Sequence, residues 1–117
     1  MRDVLFMLKP DFLDPKAGPG KYFCPDCALV EGVLSYFPWL KGRVEVREVD
    51  FPRPRPEVAA IFGEDHPGCP VLVFEPSTEV PDGVKVHQSP SGQRYISGAA
   101  EINHYLAKAY NVSLPHP

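Results

Sequence analysis

Fifteen of the 117 residues are proline, against a usual share of about 5%. They are scattered and unrepeated, so they act as punctuation inside a fold and not as a disordered tract. "DVLFMLK" (3–9) is an apolar run bounded by charge, the pattern of a strand buried on both faces. A loop rich in Pro and Gly, "PDFLDPKAGPGKYF", comes next. From Cys24 a helix is expected. Pro25 suits its first turn, Leu29, Val30, Val33, Leu34 and Phe37 fall on one face, and Pro38 ends it. Gly32 weakens that helix by about 1 kcal/mol relative to Ala.

"RVEVREVD" (43–50) reads as a second strand. "RPEVAAIF" reads as a short helix, opened by Pro56 and Glu57 and stopped by Gly63. "PVLVFE" (70–75) is a third strand, fully apolar. "VKVHQ" and "QRYI", joined by "SPSG", form a hairpin pattern. "GAAEINHYLAKAY" is a closing helix with Ala99, Ile102, Tyr105, Leu106 and Ala109 turned inward. The order βαβαββα predicts an α/β fold, with a mixed sheet of four to five strands and helices on both faces. Its first two strands are expected to be parallel through a right-handed crossover, and its last two antiparallel. One domain, 1–117, accommodates all of this.

Apolar residues make up 44% of the chain and charged residues 23%, ordinary for a soluble globular protein. The net charge of −3 gives no electrostatic case for a nucleic-acid partner. Arg53 and Arg55, the densest basic group, are spaced by prolines and read as a solvated turn. No stretch has the pattern of a signal peptide or membrane span, so a cytoplasmic location is expected. In that compartment structural disulfides are uncommon. An odd count of three cysteines, Cys24, Cys27 and Cys69, then argues for reactive or metal-binding thiols.

Cys24-Pro25-Asp26-Cys27 admits three readings: a redox dithiol, half of a metal site, or two small apolar residues at a helix start. A strand, a Cys-x-x-Cys opening a helix, and a proline directly before the third strand together resemble the thioredoxin-like superfamily. Glutaredoxins and the N-terminal domains of glutathione transferases are the nearest branch. "CPDC" is similar to the glutaredoxin dithiol. "GCPVLVF" is similar to the segment that carries a cis-proline in that superfamily, here Pro70. "ISGAAEINHYLAKAY" resembles the last helix of the transferase N-terminal domain. "KPDFLDPK…CPDC" with "VDFPRPRPE" also resembles a small bacterial family known as a domain of unknown function.

The thioredoxin-like resemblance implies thiol–disulfide exchange. Cys24, at a helix N-terminus whose free amides and dipole favour an anion, is the expected nucleophile. Cys27, one turn on, is the expected resolving thiol, while Asp26 opposes the thiolate. Glutathione or a protein disulfide is the implied partner, with no tightly bound cofactor, and a homodimer is left open. Lys21 would meet the glycine carboxylate of glutathione, Cys69 and Pro70 its backbone, and Ser97 and Gly98 its γ-glutamyl end. Taken alone, Lys21 reads as a solvated loop residue. Ser97 and Gly98 read equally as an ordinary helix cap, with Gly98 at the N-cap and Glu101 at N3.

A metal centre is the rival from another class. Cys24, Cys27 and Cys69 would supply three ligands for zinc or an iron–sulfur cluster, with His66 in "EDHPGCP" as the fourth and His87 a poorer candidate. A scaffold without chemistry is the third reading. Tyr22, Phe23, Tyr36, Phe37 and Trp39 surround the motif and are expected mostly to pack. The sequence holds no all-helical second domain of the transferase kind, so neither an apolar electrophile pocket nor transferase activity is expected.

Overall fold

A computed structural model describes residues 2–63 and 68–117. Its organising element is β1 (Asp3–Leu8), whose alternate side chains serve two different cores. Leu5 and Met7 enter a cluster with Val30, Leu34, Ile102 and Leu106. Phe6 enters a second cluster with Val58, Phe62, Val71 and Val73. A strand alternates its side chains across the sheet, so apolar residues at every position require cover on both faces.

That cover comes from three helices. α1 (Pro25–Tyr36) and α3 (Ala99–Tyr110) pack on the Leu5 face, and α2 (Pro56–Phe62) packs on the Phe6 face. The sheet contains β4 (Val44–Val49), β5 (Val71–Val73), β6 (His87–Gln88) and β7 (Arg94–Ser97), in the order β4-β1-β5-β7-β6. β1 and β4 run parallel, from Asp3 opposite Val44 to Leu8 opposite Val49. The β1–β5, β5–β7 and β6–β7 pairs are antiparallel. The predicted mixed α/β sheet with five strands and three helices is therefore present. The Cys69–Pro70 and Arg53–Pro54 peptides are both cis.

Several local expectations need correction. The loop after β1 contains a small ribbon, β2 (Phe12–Leu13) against β3 (Lys21–Tyr22). The "VKVHQ" strand shrinks to two residues, because Val84 and Val86 pack against the main core instead of extending the ladder. Leu29 is 60% exposed. It lies about 160° round the helix from Cys27, outside the narrow stripe of Cys27, Val30 and Leu34 that α1 buries. Phe23, Tyr36 and Trp39 are also exposed, although Trp39 meets Tyr110 edge-on. No helix among the described residues is long and apolar enough to cross a membrane.

Asp3, which bounds the first apolar run, is buried. Its Oδ1 accepts the Glu75 N–H at 2.8 Å and the Thr78 hydroxyl at 2.7 Å, and its Oδ2 accepts the Tyr105 hydroxyl at 3.2 Å. A buried carboxylate is tolerable only when its lone pairs are taken up in this way. On α1, a Cβ added at Gly32 would meet open space, and the backbone there is ordinary helix. Gly32→Ala is therefore expected to stabilise the protein by about 0.5–1 kcal/mol. Urea or thermal melting of the two proteins checks this directly.

Candidate functional site

Cys24 is the N-cap of α1, with an extended backbone at φ −78° and ψ 114°. Pro25 takes the first helical position, where its missing N–H costs nothing. The Cys24 side chain then fills the role that Ser or Asp plays at other helix starts. Its Sγ accepts the Cys27 N–H at 3.1 Å. The Cys24 thiol also donates to the Cys69 carbonyl, 3.6 Å away. One sulfur is thus held between the end of a helix and the turn that precedes β5.

Cys27 lies one turn along α1 and is 6% exposed. Its Sγ accepts the Leu8 N–H at 3.5 Å, which ties α1 to the last residue of β1. Burial pushes the Cys27 thiol well above its ordinary value of 9.0, and its hydrogen bond with Cys24 adds to the rise, while the Leu8 N–H opposes it. Burial also raises Cys69, and the Arg55 guanidinium pulls it part of the way back. All three cysteines are free thiols, Cys24 and Cys69 partly buried.

Arg55 does not lie in a solvated turn, as its sequence suggests, but is buried. Its guanidinium donates twice to the Phe51 carbonyl, at 2.9 and 2.7 Å, and lies over the Phe51 ring. Phe51 in turn stacks on Phe12 of the ribbon, with centroids 4.3 Å apart and planes 1° from parallel. This chain runs from the loop before Cys24, through Phe51 and Arg55, to Cys69. The available signal was Phe51 four residues before Arg55, a spacing that lets one side chain fold back on the other's carbonyl.

The other predicted residues divide by location. The Gly98 N–H donates to the Pro70 carbonyl at 3.1 Å, and Ser97 is the register partner of Val71. Cys69, Pro70, Ser97 and Gly98 therefore meet at one end of the sheet, beside Cys24. Gly98 is the N-cap of α3, and its amide is already engaged. Lys21 is exposed on the ribbon, opposite Leu13. His66 lies outside the described residues. Among the described residues no group of three or more His, Cys, Asp and Glu side chains is placed to hold a metal ion.

A pocket beside the two cysteines was not expected, yet one with both apolar and charged walls is present. A cleft of about 800 Å³ opens on the β4 side of Cys24 and Cys27, with Phe23, Ala28 and Val46 on its walls and the charged Arg2, Glu31, Lys41, Glu45 and Glu48 around them. It exists because β4 is the edge strand and α1 and α3 cover the strands inside it.

The difference in exposure predicts an order of labelling. Iodoacetamide at neutral pH should modify Cys24 before Cys27, as read by peptide mass over time. The raised Cys27 thiol also fixes the sign of a pH effect. The unfolded chain releases that proton near 9.0 and the folded chain keeps it. Its contribution is complete below that value and is lost as pH rises above it. Urea midpoints should fall from about pH 9 upward, and Cys27→Ala should flatten the fall by up to about 1.4 kcal/mol per pH unit, one proton's share.

Residues 2–114 match the model of the family described as "Protein of unknown function (DUF3088)", so the chain belongs to that family. No curated protein and no solved structure matches it.

Proposed function

We propose that this family member is a thiol–disulfide oxidoreductase with a thioredoxin-like, glutaredoxin-type architecture, acting in the cytoplasm on a protein disulfide with glutathione as the linked thiol. The observation that carries the reading is the Cys24 sulfur at the N-cap of α1, accepting the Cys27 N–H at 3.1 Å on the wall of an open cleft. The amide fixes the Cys24 sulfur at the helix start, facing the cleft, where a substrate disulfide can reach it. The sheet order β4-β1-β5-β7-β6, with its single parallel pair, supports the architecture. The Cys69 carbonyl beside Cys24 supports the role of the Cys69–Pro70 turn as a rest for substrate backbone.

The reaction follows from the two environments. The Cys24 thiolate attacks one sulfur of the substrate disulfide. The substrate S–S bond breaks, and its other half leaves as a thiolate that takes a proton from water. Cys27, kept protonated by burial until then, gives its proton to water and attacks the Cys24 sulfur. The second substrate thiol leaves, and a Cys24–Cys27 disulfide remains. Two electrons have passed from the dithiol to the substrate. Two molecules of glutathione, as reductant, return the pair to thiols by the reverse exchange and become glutathione disulfide.

Serine substitutions and intact-mass alkylation across graded glutathione buffers test the reading. Cys24→Ser should reduce exchange to background. Cys27→Ser should stop the cycle at a mixed disulfide on Cys24, visible as one glutathione adduct. Cys69→Ser should keep turnover within the same order of magnitude. If all three thiols resist alkylation until acid or chelator is added, the dithiol reading is wrong and a metal holds them. Three free thiols that never respond to potential would leave a binding scaffold.

A further inference from the structure

The cleft beside Cys24 lies on the flank away from Pro70, Ser97 and Gly98, three of the residues expected to hold glutathione. Pro70, Ser97 and Gly98 stand toward β5 and α3, whereas Met7, Ala28, Val44 and Val46 stand toward the edge strand β4. Cys24 and Cys27 line the cleft themselves. From Cys24 it follows α1 for about 10 Å, seven residues at 1.5 Å each, as far as Glu31. There Glu31 and Lys41 form an ion pair at 3.3 Å, bridging α1 to the turn before β4. Both residues line the cleft, so the pair bounds its far end.

This is a site with sulfur at one end, apolar walls of Phe23, Ala28 and Val46, and a charged rim of Arg2, Glu31, Lys41, Glu45 and Glu48. Its volume falls in the range of about 300–1,000 Å³ that holds small molecules. The rim sets Glu31, Glu45 and Glu48 against Arg2 and Lys41, an excess of negative charge that disfavours the two carboxylates of glutathione. The accessible surface between them is the apolar one of Phe23, Ala28 and Val46. We infer that the cleft selects a second substrate class: small disulfides in which the half attacked by Cys24 carries an apolar body that lies on Val46 and Ala28. This rests on the redox reading above and names a substrate for it. The exchange is the same as before, with the apolar half held as the mixed disulfide on Cys24. It leaves as an apolar thiol when Cys27 attacks, and glutathione again supplies the two electrons that restore the dithiol.

Two measurements test binding and chemistry separately. First, di-n-butyl sulfide, a thioether that cannot exchange, is titrated into the reduced protein and followed by amide chemical shifts. The shifts of Ala28, Val44 and Val46 should move and saturate, and Val46→Asp should weaken the effect at least tenfold. Ala28→Gln, at an exposed helix position, gives the same readout should Val46→Asp fail to fold. Second, kcat/KM is compared for diethyl, dipropyl and dibutyl disulfide. It should rise about fourfold for each methylene that enters the cleft, and the rise should vanish in the variants.

Cleft amides that do not respond to the thioether, or rates flat with chain length while glutathione disulfide still exchanges, overturn the inference and leave the redox reading intact. Thioether binding without exchange toward any disulfide, glutathione's included, overturns the redox reading and the disulfide half of the inference together. Cleft amides that shift on dilution of the protein alone identify a second copy of the chain as the occupant, which also overturns it.

Discussion

The buried carboxylate of Asp3 holds the architecture in register. It is the first residue of β1, and its oxygens take hydrogen bonds from the Glu75 amide, the Thr78 hydroxyl and the Tyr105 hydroxyl. One strand end is thereby joined to the segment after β5 and to the middle of α3. The other end of the same strand gives its Leu8 amide to the Cys27 sulfur. A six-residue strand therefore sets the position of both helices on its face. Each helix is tied by a polar group that would be costly to bury unpaired. The apolar packing between those ends supplies the stability, and the polar ends supply the registration.

The candidate site inherits its geometry from this frame. Consecutive backbone carbonyls do the joining: that of Cys69 receives the Cys24 thiol, and that of Pro70 receives the Gly98 amide. The start of α1 and the start of α3 are thus brought to a single turn of chain. Arg55 and Phe51 stand on the opposite side of that turn, where the guanidinium acts on the Cys69 thiol and Phe51 holds the ribbon that precedes Cys24. The three thiols therefore sit in different surroundings: a helix cap, a core position against β1, and a turn beside a buried cation.

Much of the fold was legible because its signals were local. The prolines at 25, 38 and 56 bound helices where their missing amides and fixed φ predict. The doubly apolar β1 announced a covered strand. The errors share a cause, which is that they depended on contacts distant in sequence. Arg55 is buried because Phe51 and the Cys69 turn close over it, and nothing in "FPRPRPE" alone says so. Leu29 has the spacing of an apolar face whose true width is set by the neighbours of α1. Val84 and Val86 have strand spacing, yet the main core draws them away from the sheet edge. The cleft was invisible for the same reason, since it is a gap between elements and belongs to no segment.

β4 bounds that cleft and is also the end of the sheet. Among the described residues no strand lies beyond it, so its outer row of amides and carbonyls has no ladder partner. Such an edge is a template on which other chains add as strands. Here its residues Glu45, Arg47 and Glu48 carry charge, and Arg47 is engaged by Glu45 and by Glu57 of α2. An incoming strand would have to strip those charges of water and break the ion pairs to reach the backbone. The same strand that borders the cleft thus resists aggregation along its rim.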